Sequence, residues 1–460
     1  MKIKTIITLA LAAGAFVASS AAQTVTPNPI DSYASDPVWQ KRFVGSYGFL
    51  SGREPRVTAE EQELVQSLQI YIPNDLSQAI SLLEISLTLE SSPALYYVLG
   101  NLHFQNGNQG QAESYYIRAI RDFPDFLRVY KNLGLLTFKQ ERYDEALKYI
   151  SKSLELGDND ARTYLMLGYC LSVKERYLSA EGAYRTAIMY EPMNKDTKML
   201  LAQTLLMQSK YREASNLFAE LILDDPNDGT LWFHQANAHM GLGEMDRAAS
   251  NFEIVRRMGK ATADSLFLLG DIYINKQMLS LALDIYLKAI DLNPNGKPNN
   301  SVRAAESLTN YGAYKEATAL INKINRVYSG RLDDRNELKM LTMIAQIAIA
   351  TGKGDEAAAA LEKIIDRDPL NGRAIITLAD YYGREDQIEK AILLYERAEE
   401  LDGEIRTRAY VRHGQMMVRQ KRWEEAVDLL RTAQNIEHQD NVKEFLEQVE
   451  KVARASGAAI

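Results

Sequence analysis

The side chains in this 460-residue chain with the strongest intrinsic claim to chemistry are five histidines, His103, His234, His239, His413 and His438, and a single cysteine, Cys170. A helix-borne zinc site needs two ligands one turn apart, and no two of these histidines stand at i, i+4. Cys170 adjoins Leu171 in an apolar helical stretch, where a thiol packs as a small inert hydrophobe. Gly241 and Gly243 could be mistaken for a phosphate cradle, but such a loop must follow a strand and open a helix, and these two interrupt one helical pattern before another. Glu424 and Glu425 are neighbours on a solvated helix, not an acid and base facing a common point. No nucleophile elbow is present either. The residues therefore predict no catalytic site, no metal and no cofactor.

The elements around these residues explain them better. Small residues recur at Gly100, Gly134, Gly168, Ala202, Ala236 and Gly270, each 34 positions after the last. A second series, Ala112, Ala146, Ala180, Ala214, Ala248 and Ala282, keeps the same step and stays 12 residues behind the first. Between Pro93 and Phe126, Tyr96, Leu99, Gly100 and His103 mark one face of a first helix. Asn106, Gly107 and Asn108 break it. Ala112, Tyr116 and Ala119 then line a second helix, which Pro124 ends. The small residues belong where the two helices cross closely. His103 and His239 fall at one site of this repeat and His413 at another, both packing positions.

A 34-residue helical hairpin resembles the tetratricopeptide repeat family. The likeness runs from about Ala59 through nearly all the rest of the chain. The family's terminal proline recurs as Pro192, Pro226, Pro294 and Pro369, and its second-helix aromatic as Tyr116, Tyr184, Phe218, Phe252, Tyr286 and Tyr395. Asp158 and Lys260 replace the proline, Gln235 replaces a core residue, and Ala304 and Ala305 mark a weaker seventh unit. The resemblance implies an all-α fold: a right-handed α-solenoid superhelix of about ten to eleven repeats closed by a capping helix. Beyond Ala282 the alanines follow at Ala317, Ala357, Ala391 and Ala426, so the phase slips. Interruptions at 295–300 and 326–337 place a boundary near 297. The organisation expected is a signal peptide (1–22), an extension rich in proline and aromatic residues (23–58), an N-terminal sub-array (59–296), a C-terminal sub-array (297–440) and a cap (441–456).

Residues 1–22 have the order of a secretory signal: Lys2 and Lys4, an apolar run from Ile6 to Val17, then Ser20, Ala21 and Ala22. Removing the two lysines takes the formal net charge from −8 to −10. An acidic chain disfavours phosphate backbones, so no nucleic-acid partner is expected. The mature chain has no apolar stretch long enough to be a transmembrane segment. A lone cysteine excludes an intramolecular disulfide. These features predict an exported chain in the periplasm or on the periplasmic face of the outer membrane.

In the tetratricopeptide repeat family, first helices line a concave surface and positions 2, 5, 9, 12 and 13 face the ligand. Carried onto this sequence, they give an expected partner groove. Its fifth positions are Tyr97, Lys131, Leu165, Met199, Phe233 and Phe267. Its ninth are Asn101, Leu135, Tyr169, Gln203, Asn237 and Asp271, and its twelfth include Phe104, Phe138 and Met240. The same face of the later array carries a more polar set, Arg373, Asp380, Arg384, Arg408, Gln415 and Arg419. Lys131 lacks the companions that would make the family's carboxylate clamp, so the expected ligand is an apolar helix or extended segment. The same side chains could instead pack first helix against first helix. The expected function is a non-catalytic scaffold or adaptor for a protein or peptide partner in the bacterial envelope. A carbohydrate or peptidoglycan-binding module is the alternative, motivated by the aromatic content of the groove and of the N-terminal extension; against it, only Trp39, Trp232 and Trp423 could supply an indole, and Trp232 falls at a repeat core site.

Overall fold

The computed structural model describes residues 54–458, and every regular element among them is a helix. The chain divides into two compact units, meeting between Met258 and Gly259. In the first unit the helices pair as α1 (Ala59–Leu68) with α2 (Leu76–Ser86), α3 (Pro93–Gln105) with α4 (Gln109–Asp122), and α5 (Leu127–Lys139) with α6 (Tyr143–Glu155). The remaining pairs are α7 (Ala161–Val173) with α8 (Tyr177–Tyr190), α9 (Lys195–Met207) with α10 (Tyr211–Asp224), and α11 (Gly229–Gly241) with α12 (Met245–Arg257).

The second unit opens with α13 (Ala263–Asn275) and α14 (Leu279–Leu292), then α15 (Asn299–Asn310) and α16 (Tyr314–Val327). It continues with α17 (Asp334–Ala350) and α18 (Gly354–Arg367), and with α19 (Gly372–Arg384) and α20 (Ile388–Glu399). The last pair, α21 (Glu404–Arg419) and α22 (Trp423–Ile436), is followed by a single helix, α23 (Asp440–Ala455). This is the expected array of helical hairpins with a terminal cap. The expected signal peptide and most of the extension lie outside the described residues.

Each hairpin closes because one site on its first helix is too tight for a larger side chain. A Cβ built on Gly100 would lie 2.5 Å from Tyr116 Cε1, and the equivalents are 2.7 Å for Gly168 against Tyr184 and 2.3 Å for Gly270 against Tyr286. The alanine series, Ala112, Ala146, Ala180, Ala214, Ala248 and Ala282, is fully buried. The turn inside the hairpin is equally regular. Gly107, Glu141, Glu175, Ser209, Gly243 and Gln277, again 34 residues apart, all have φ between 58° and 79°. This left-handed residue lets the next amides return to the helix end: Glu141 N donates to Phe138 O and Arg142 N to Thr137 O, both at 2.9 Å. Most first helices are capped by side chains, as at Ser92, Asp160, Asn194, Asp228 and Thr262, whereas α5, α15 and α21 are not. The second helices start straight from the turn and in the repeats from α4 onward need no such cap.

The unit boundary differs from the 297 position read from the phase slip. It falls where Lys260 replaces the terminal proline and Gly259 takes a φ of 69°. The slips have local outlets instead. Pro298 simply precedes α15, whose Ala304 and Ala305 are fully buried. The later insertion becomes a turn at Gly330 and a first helix of 17 residues, α17, where 13 is usual. In the cap, Val442, Val449 and Ala453 are buried and Phe445 and Leu446 pack against the same core, whereas Val452 points outward.

Candidate interaction surface

Within the first unit the expected groove residues separate into two groups. Tyr97, Asn101, Phe138, Leu165 and Asn237 are buried, at 7% exposure or less. These five therefore serve the interior, as the packing alternative required. Phe104, Lys131, Leu135, Tyr169, Met199, Gln203, Phe233 and Met240 stay half-buried and form what is accessible on the first-helix face. Six of those eight are apolar or aromatic. Phe104, Leu135, Tyr169, Met199, Phe233 and Met240 come from five consecutive first helices, α3, α5, α7, α9 and α11.

Where the ninth position is Asn or Asp facing a second-helix tyrosine, it is drawn toward that phenol. Tyr116 Oη donates to Asn101 Oδ1 at 2.7 Å, from the second helix to the first. In the second unit Tyr286 Oη donates to Asp271 at 2.7 Å and Tyr395 Oη to Asp380 at 2.6 Å. A buried phenol must find an acceptor, and the residue 15 positions earlier supplies it. Burial pushes the Tyr286 and Tyr395 phenols above their usual range, with the carboxylate partners adding to the effect. Burial likewise raises Asp271, which Arg303 partly offsets from 2.8 Å. Where the second-helix aromatic is Phe252, no hydroxyl exists to donate. Asn237 Oδ1 and Nδ2 are then buried without a partner.

Lys131 is already neutralised. Its Nζ lies 2.7 Å from Asp160 and 3.5 Å from Asp158. Burial alone would raise the Asp160 carboxyl, and the Lys131 ammonium outweighs it, leaving that group below its usual range. Four of the five histidines are buried in the helical packing, and His438 is exposed. His239 contacts Glu244 at 2.8 Å, His103 contacts Glu84 at 3.2 Å and His413 contacts Glu399 at 2.8 Å. His234 is stacked on Phe218, and burial lowers it to about 4. Burial also pushes the Cys170 thiol up to about 12, far from a nucleophile's range. Among the described residues no group of three or more His, Cys, Asp or Glu side chains could hold a metal ion, and no helix is long and apolar enough to cross a membrane.

Sequence reading missed Arg128 and Lys139, which occupy positions 2 and 13 of the second full repeat. Arg128 lies over the Tyr97 ring at 4.7 Å and pairs with Glu54, while Lys139 lies over Phe104 at 5.4 Å. The same register that gave Lys131 would have found both. In the second unit, Phe267 is 6% exposed and so interior, and Asp271 is half-buried. Arg373, Arg384, Arg408 and Arg419 are exposed, while Asp380 and Gln415 are half-buried. Trp232 donates from Nε1 to Pro226 O at 2.9 Å and Trp423 packs, half-buried, against the second unit's core, while Trp39 lies outside the described residues.

Tetratricopeptide repeat signatures match residues 97–161, 133–193, 233–297 and 342–402, and a second signature of the same description matches 174–238. Together they cover more than half of the chain. Among curated protein sequences there is no match. Similar solved structures include the C-terminal part of a TPR repeat-containing protein from Cytophaga hutchinsonii, 17% identical, covering 54% of this chain and 98% of that one at a TM-score of 0.47. YrrB, described as a TPR protein with an unusual peptide-binding site, is 26% identical over 39% of this chain and 93% of its own, with a TM-score of 0.35. PilF of Pseudomonas aeruginosa is 20% identical over 44% of this chain and 93% of its own, also at 0.35.

Proposed function

We propose, from the premise that this chain belongs to the tetratricopeptide repeat family, that it is a non-catalytic scaffold whose first unit holds an apolar segment of a protein partner on its first-helix face. The observation carrying this reading is the row Phe104, Leu135, Tyr169, Met199, Phe233 and Met240, half-exposed on consecutive first helices. Exposed helix positions ordinarily carry charge, and a continuous apolar row offers burial to another chain. Methionine among aromatics suits a surface that adapts to its ligand. Lys131 is held by Asp158 and Asp160 and stands without the companions of a carboxylate clamp. An amphipathic helix or an extended apolar segment fits the face better.

The charged, apolar and small-residue order of residues 1–22 supports an exported protein working in the bacterial envelope, in the periplasm or against the outer membrane. The test is affinity capture from an envelope fraction with the wild type and with Phe233→Glu and Met199→Glu. Loss of one partner with both variants, and with neither Leu178→Glu nor Leu223→Glu on exposed second helices, supports the reading. Equal recovery by all five proteins would remove it.

A further inference from the structure

The stretch that precedes α1 does not leave from the end of the array. Glu54 makes a two-pronged ion pair with Arg128, a residue 74 positions later on α5, and the two side chains are only 6% and 16% exposed. Arg128 in turn lies over Tyr97 of α3. Pro55 is buried beside this pair in sequence. Positions 2 and 5 of consecutive first helices thus hold the chain on the first-helix face, past its own hairpin α1–α2. A paired, desolvated Arg and carboxylate tolerates little displacement, because either charge left alone there is costly.

We propose that residues 39–53 continue from this anchor along the first-helix face of the first unit and cover it in cis. The segment has the composition of a ligand for that face. Trp39, Phe43 and Tyr47 recur every four residues, the spacing that puts side chains on one face of a helix, and Phe49 and Leu50 follow. Fifteen residues span about 20 Å as a helix and about 50 Å extended. Neighbouring helices lie roughly 10 Å apart, so either form reaches across two repeats. Phe104, under the Lys139 ammonium, and Leu135 are the apolar positions nearest the anchor in the register. That the segment competes with an outside partner rests on the function proposed above; the coverage itself does not.

The experiment therefore uses the purified full chain with no partner present. A photo-crosslinking benzoylphenylalanine replaces Phe43, and the products are mapped by mass spectrometry at several protein concentrations. Coverage in cis predicts crosslinks within one molecule, to peptides from 97–139, with a yield independent of concentration. Arg128→Glu and the milder Glu54→Gln should each lower that yield, the former about tenfold, and the exchanged pair Glu54→Arg with Arg128→Glu should restore it. Crosslinks that go to α4, α6 or another molecule, or a yield indifferent to Arg128, would overturn the proposal. Failure of the envelope capture with these crosslinks intact would discard the partner and keep the cis segment.

Discussion

Phe252→Tyr should stabilise the protein, against the usual cost of adding a polar atom to a core. In three other hairpins a second-helix tyrosine donates to the residue 15 positions before it. Phe252 stands in that relation to Asn237, whose amide oxygen and nitrogen are both buried without a partner. A buried unsatisfied polar group costs about 1–3 kcal/mol, and a typical net hydrogen bond contributes about 1 kcal/mol. Satisfying the oxygen alone should recover about 1–2 kcal/mol. Native-state amide exchange in α11 and α12 resolves this locally, and a gain of about 1.4 kcal/mol appears as roughly tenfold slower exchange through openings that break the contact. The reverse change, Tyr286→Phe, leaves Asp271 with Arg303 alone and should speed exchange in α13 and α14 to a similar degree. If Phe252→Tyr left exchange unchanged or accelerated it, the tyrosine-to-acceptor pairing would not be what turns the ninth position inward.

Other substitutions probe the repeat and its acid response. Glu175→Gly and Gln277→Gly, at φ of 58°, should each raise the urea midpoint by the equivalent of about 0.5–1 kcal/mol, since left-handed geometry suits glycine. Gly270→Ala pushes a methyl group to 2.3 Å from Tyr286 and should lower thermal stability by about 1–3 kcal/mol. His234 titrates near 4 when folded, below its ordinary value near 6.5, so the unfolded chain takes the proton first. Its contribution is intact above about pH 6.5, falls as the pH drops, and has lost about 3 kcal/mol once the pH is below 4. His234→Gln should flatten the urea-midpoint profile across that window, and an unchanged profile would contradict the burial of a neutral ring.

The hairpin was legible because its causes are periodic. A glycine or alanine every 34 residues marks the close crossing, and the phenol facing it marks the second helix. The surface was harder to read, since first-helix positions 5 and 9 serve both the interior and the outside. Tyr97 is inside because Phe126 packs against it at a tilt and Arg128 lies over its ring, whereas Phe233, at the same repeat position, remains half-exposed. Asn101 goes inward for Tyr116, a constraint visible only when positions 15 apart are read together. The unit boundary fell between Met258 and Gly259, away from the larger insertions that the turn at Gly330 and the longer α17 absorb, and a lost proline does not mark it, since Asp158 stands at the same repeat position inside the first unit.

The central claim is that a partner is held on the first-helix face of the first unit. Site-specific photo-crosslinking in living cells tests it most directly, with benzoylphenylalanine placed in turn at Leu135, Met199 and Phe233 and at the exposed second-helix positions Leu178, Met189 and Leu223. The account predicts one common adduct from the three first-helix positions, lost from Met199 when Phe233→Glu is added, and no such adduct from the second helices. The same adduct from Leu178, Met189 and Leu223, with none from the first helices, would contradict it.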